Sequence, residues 1–143
     1  MRLDGPPDTS RSPKAAPIGA REGMQRIRTF CTAHPDGDYL FGTGESMRPL
    51  YGENTVLLLE RLPMNRLAPG MTVVYAGASG HRVAHVLVRL TPAGWSVQGI
   101  NNPEPDEVRV TEGNYIGAVV GAYQLSTSLG CALLQEAPAG RAY

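Results

Sequence analysis

The sequence predicts a mainly β domain, with a short helix before the β region and a second short helix in the tail. Three observations carry this. From Thr55 onward, β-branched and apolar runs of four to ten residues alternate with turn formers. The turns are dense in Gly, Pro, Asn and Asp, as in His34-Pro35-Asp36-Gly37-Asp38 and Gly77-Ala78-Ser79-Gly80. Helical periodicity is confined to the ends, at Met24, Ile27, Phe30 and Cys31 and again at Leu125, Leu129, Ala132 and Leu133.

Residues 1–20 are rich in Pro, Gly and Ser with almost no large apolar side chains, which predicts a disordered leader. Residues 21–33 form the amphipathic helix, and the cluster at 34–38 ends it. Tyr39-Leu40-Phe41 begins a short strand, and a glycine-punctuated stretch follows to Ser46. Thr55 to Glu60 is apolar without alternation, as expected of a strand covered on both faces. Met71–Ala76 and His81–Leu90 are two further strands. Pro92-Ala93-Gly94 turns the chain into Trp95–Gln98, and Tyr115–Tyr123 closes the sheet. Asn101 to Asp106 is a polar loop. Residues 21–143 therefore read as one domain, of a size that supports one moderate core.

The totals exclude several classes. A formal net charge of zero gives no electrostatic reason to expect nucleic acid or an anionic membrane as partner. No apolar run approaches the ~18 residues of a membrane helix, and the N-terminus has no secretory pattern, so the expectation is a chain without a membrane span in the cytoplasm. Cys31 and Cys131 form no CxxC, and no metal or other cofactor is expected. The only lysine is Lys14, in the leader. The remaining cations are arginines, which stay protonated and serve poorly as general bases.

The most informative stretch is Gly44-Glu45-Ser46-Met47-Arg48-Pro49-Leu50. A serine between a flexible glycine segment and a proline turn can present its hydroxyl at a sheet edge, with backbone N–H groups aimed at a developing oxyanion. The same pattern also fits an ordinary turn serine. It resembles the nucleophile box of signal peptidases and LexA-type repressors, in which Ser-Met is followed after one residue by Pro. Gly52-Glu53-Asn54 with Thr55–Leu59 resembles that superfamily's Gly-Asp and apolar strand, and Pro69-Gly70-Met71-Thr72-Val73-Val74-Tyr75 resembles its second Gly-Asp strand element. With His85 and the Asn101-Asn102 loop, the resemblance covers about residues 42–121. The resemblance implies a coiled β-sheet domain, a serine endopeptidase activity and Ser46 as nucleophile.

In that superfamily the base is lysine or, in the archaeal and endoplasmic-reticulum signal peptidases, histidine. With no lysine outside the leader, the resemblance is closest to the histidine branch and assigns the base to the strand carrying His81 and His85. His85 is favoured, because Val83-Ala84-His85-Val86 matches the family strand while His81 stands at the start of the hairpin. The two lie about 13 Å apart along a strand at ~3.3 Å per residue, so only one reaches Ser46 and they do not chelate a metal together. Gly99-Ile100-Asn101-Asn102-Pro103-Glu104-Pro105-Asp106 resembles the family's Gly-Asp-Asn-Asn loop. It places the third triad member at Asp106, with Glu104 as runner-up.

Four departures matter, one being Glu53 and Asn54 in place of the usual Gly-Asp order. Ile100 stands where the family has an aspartate. Gly44 stands where many signal peptidases carry an oxyanion-donating serine, which implies reduced activity. Where signal peptidases carry a membrane anchor before the serine, residues 21–33 read as a short charged helix, so a substrate at a bilayer surface is not expected. The expected partner is a peptide or protein laid along a strand edge, with Gly44 beside the nucleophile and shallow pockets near Met47, Leu50 and Tyr75 selecting small side chains. Two alternatives stand beside this: a weak or inactive peptide-binding or dimerising module of the same fold, with a homodimer left open, and a protein that cleaves its own leader or tail.

Overall fold

A computed structural model describes residues 5–42, 44–126 and 141–142. The chain is mainly β: β1 (Ala16–Ile18), helix α1 (Ala20–Ala33), β2 (Asp38–Phe41), β3 (Thr55–Glu60), β4 (Thr72–Ala76), β5 (Arg82–Thr91), β6 (Gly94–Gln98), β7 (Tyr115–Leu125) and β8 (Arg141–Ala142). The strands form one sheet in the order β6-β5-β4-β7-β3-β2-β8. Pairing along it is antiparallel except for β2 with β8. β1 lies off this path and pairs in parallel with the last residues of β7, Tyr123 to Leu125. The expected helix and strands therefore form within one or two residues of their predicted bounds. Of the expected tail helix, Leu125 is the last residue of β7, and Leu129, Ala132 and Leu133 lie outside the described residues. No helix among the described residues is long and apolar enough to cross a membrane.

The unbroken apolar run of β3 has two covers. Val56 and Leu58 pack with Ile27 of α1, Tyr39, Phe41 and Leu125, while Leu57 and Leu59 pack with Leu40, Met47, Tyr51 and Val119. Burying both faces of a strand removes apolar surface on each side, at about 25 cal/mol per Å². Helix and sheet approach closely at Gly23, where a Cβ would come within 2.7 Å of Leu125 Cδ2. Even alanine at this position forces Leu125 to move. A third cluster, built on Trp95, Val97, Leu87, Val73, Tyr75 and Tyr115, fills the β5–β6 end. The pairing slips at Leu58/Leu59, Val74/Tyr75 and Leu87/Arg89. Such irregularities bend and coil a sheet, and the last two flank the middle of β5.

Residues 5–19 correct the expectation of a disordered leader. The Ser12 hydroxyl is buried, 2.8 Å from Gly70 O and 2.7 Å from Thr72 Oγ1. The Tyr51 hydroxyl donates to Pro13 O, and Ala16–Ile18 is a strand. The segment is held by hydrogen bonds between Ser12 and Gly70 O and Thr72, from Tyr51 to Pro13 O and along β7, with only Ala15 and Ile18 packed on the core clusters, so its composition resembles that of a disordered tail.

Candidate active site

The turn after β2 carries Ser46. Residues 45–51 wind through one tight loop, with Arg48 N–H donating to Glu45 O at 3.2 Å and Tyr51 N–H to Met47 O at 2.9 Å. Met47 and Tyr51, 3% and 2% exposed, pin the loop to the core that also holds Leu57 and Leu59. Ser46, immediately before Met47, is half-buried. A second tether comes from the loop after β6: Asn101 N–H donates to Ser46 O at 2.7 Å, and Asn101 Nδ2 reaches Glu45 O at 3.3 Å. Among the described residues the Ser46 N–H gives no hydrogen bond.

His85 lies in the middle of β5, directly opposite Val73 of β4. Directly paired residues share a sheet face, and the pleat puts Tyr75 on that face too. His85 is 7% exposed, its Nε2 stands 2.9 Å from Ser46 Oγ, and its Nδ1 stands 2.5 Å from Asp106 Oδ2. An ionised carboxylate only accepts, so the ring proton sits on Nδ1 and Nε2 is free to accept from the serine hydroxyl. His81 is exposed before β5, where its carbonyl closes the hairpin turn by accepting from Gly77 N–H.

Asp106 is placed by its backbone, whose N–H donates to Val97 O at 2.8 Å and continues the β6 edge. Its side chain is 15% exposed. Oδ2 also accepts from the hydroxyl of Tyr75. Burial first, and then the bond and the charge of Asp106, push the Tyr75 phenol well above its ordinary range, so it stays a donor. Glu104, the other carboxylate considered for this place, is exposed two residues earlier and makes no bond to His85.

Gly99 closes the group from the β6 side. A Cβ there would stand 2.8 Å from Asn102 Nδ2 and 3.0 Å from both His85 Nε2 and Ser46 Cβ. A side chain at 99 would wedge the serine and histidine apart. The structure thus brings Ser46, His85 and Asp106 together and leaves Gly44 exposed two residues away. It corrects the proposed substrate contacts at Met47 and Tyr75. Met47 is a buried anchor of the serine loop, and Tyr75, 2% exposed, bonds to Asp106 beneath the histidine. Leu50 is half-buried and lines a pocket. The tight packing at Gly99 and the Tyr75–Asp106 bond were missed by sequence reasoning. Tyr75's place on the same face as the strand-opposed histidine is the signal that could have found the second.

The arrangement can move a proton from a hydroxyl to an imidazole whose other nitrogen is held by a carboxylate. Among the described residues no three His, Cys, Asp or Glu side chains converge as a metal site would require. In comparisons with known proteins, no family model matches the sequence and no curated protein matches it.

Proposed function

We propose that this chain is a serine endopeptidase of the signal-peptidase/LexA-like kind, with Ser46 as nucleophile, His85 as general base and Asp106 as its orienting carboxylate. The observation that carries this reading is the continuous chain Ser46 Oγ, His85 Nε2, His85 Nδ1, Asp106 Oδ2, with links of 2.9 and 2.5 Å. The mainly β sheet and the three ordered sequence boxes support it. A turn serine without a chemical role has no need of a nearly buried histidine aligned on both sides.

In the proposed reaction Ser46 Oγ attacks the scissile carbonyl carbon as His85 Nε2 takes the hydroxyl proton. The carbonyl π electrons move to oxygen, toward the Ser46 N–H, which gives no other hydrogen bond among the described residues and is the proposed oxyanion donor. Collapse of the intermediate breaks the C–N bond, and imidazolium returns its proton to the leaving amine. Water then attacks the acyl-serine with His85 as base, and the free serine and the new carboxylic acid result. Asp106 steadies the imidazolium formed twice in this cycle. Gly44 adds no side-chain donor, and losing one oxyanion donor costs about 10²–10³ in rate, so slow turnover is expected.

The test is hydrolysis of a mixed peptide pool by the full chain, read by mass spectrometry against Ser46→Ala and His85→Ala. Products from the wild type that both variants fail to make support the reading. Equal products from all three proteins contradict it.

A further inference from the structure

Beside the serine loop lies an apolar pocket of about 470 Å³ whose walls come from three separated stretches of the chain. Pro49 and Leu50 belong to the same loop as Ser46, after Met47 and Arg48, Ile100 follows Gly99, and Pro6, Pro7 and Ala15 belong to the N-terminal segment. Its only charged lining residue is Lys14, exposed and with no ion-pair partner among the described residues. Ala15, Leu50 and Ile100 are all half-buried against the core cluster that holds Met47. Continuity with the catalytic group is close, because Asn101, the neighbour of Ile100, donates its N–H to Ser46 O. The size falls within the roughly 300–1,000 Å³ of ligand pockets, far more than a methyl group fills.

The walls are built rather than incidental. The N-terminal segment is fixed on either side of Lys14, by Ser12 to Gly70 O and Thr72 and by β1 on β7. Between them the Tyr51 hydroxyl, on the serine loop itself, donates to Pro13 O. The same loop therefore presents the nucleophile and grips the segment that forms the far wall. Ile100, which departs from the loop pattern the sequence otherwise resembles, faces this pocket, where a carboxylate would stand against apolar walls.

We infer that this pocket is a specificity site of the proposed endopeptidase, seating a branched aliphatic side chain of the substrate close to the scissile bond, with the N-terminal segment as one wall. The inference rests on the peptidase reading and departs from small-residue selection at Met47 and Tyr75, which are buried. A pocket lined by Leu50, Ile100, Ala15 and prolines strips water from an aliphatic chain and offers an alanine few contacts. Each methylene in such a pocket separates substrates by about 10- to 200-fold.

The experiment uses the full chain and a peptide library randomised on both sides of the cut, compared with Ile100→Asp and Leu50→Ala. Ser46 labelling by a small fluorophosphonate is followed in parallel. Expected is a wild-type preference of roughly tenfold or more for Leu, Ile or Val over Ala at one position. Both variants lose it, the readout being the ratio of aliphatic to alanine cleavage within each protein rather than its absolute rate. If Ile100→Asp does not fold, Ile100→Ala replaces it at this half-buried position. Cleavage without aliphatic preference, or a preference that both variants keep, overturns the pocket and leaves the peptidase standing. Absence of any Ser46-dependent labelling or cleavage overturns both.

Discussion

Tyr75 and His85 converge on one oxygen: the phenol hydroxyl and the ring Nδ1–H both donate to Asp106 Oδ2. The carboxylate is thus fixed from two sides before any substrate arrives. Pre-set geometry of this kind keeps the ring proton on Nδ1 and the free lone pair of Nε2 on Ser46 Oγ.

Asp106→Asn keeps the shape of the side chain but offers an N–H where His85 needs an acceptor. The ring then favours the wrong tautomer, and kcat/KM is expected to fall by about 10⁴. Glu104→Gln, at an exposed position, is expected to change the rate by less than about twofold. Peptide hydrolysis by the two variants checks the assignment, and the opposite ranking would make Glu104 the partner.

Tyr75→Phe removes one of the two donors. Hydrogen bonds to charged groups contribute about 1.5–3 kcal/mol, and His85 still holds the carboxylate, so a loss of about tenfold in the rate of Ser46 phosphonylation is expected. A Tyr75→Phe protein that reacts at the wild-type rate shows that the phenol does not position Asp106.

Gly99→Ala inserts a methyl group 3.0 Å from both His85 Nε2 and Ser46 Cβ. The pair must separate by a few tenths of an ångström or more, and misplacement near 1 Å costs on the order of 10²-fold. The variant should retain a cooperative thermal transition while losing about that factor in labelling rate. Unimpaired labelling is the contrary outcome.

Alkaline pH should destabilise the fold. Burial is the first cause raising the phenols of Tyr51, Tyr75 and Tyr115, the last to about 12. Unfolded tyrosine ionises near pH 10. The folded pKa values are higher, so this stabilisation is full below about pH 10 and is lost as pH rises through the folded values. Tm measured from about pH 8 to pH 11 should fall steeply only at the top of that range, with tyrosinate absorbance appearing together with unfolding. Tyrosinate that appears well before unfolding contradicts the burial of these phenols.

The strands were legible because their signal is local. Thr55–Leu59 announces burial on both faces by lacking alternation, and the hairpin turns carry their glycines. Residues 5–19 were not, because Ser12 and Pro13 act through hydrogen bonds whose partners lie more than thirty residues away. Tyr75 was misread for a related reason. Alternation along β4 tells which residues share a face but not what stands over that face, and there it is Asp106 rather than solvent. Ser46, His85 and Asp106 were nominated by resemblance. No spacing rule predicts that residues 39 and 21 apart in the chain meet around one imidazole.

The most direct test of the central claim is covalent labelling of the full chain with a fluorophosphonate, followed by peptide mapping. The structure predicts a single adduct on the Ser46 peptide, absent in Ser46→Ala and at least about 10³-fold slower in His85→Ala. A folded protein with no adduct at Ser46, or one labelled equally fast without His85, contradicts the claim that these two residues form a reactive pair.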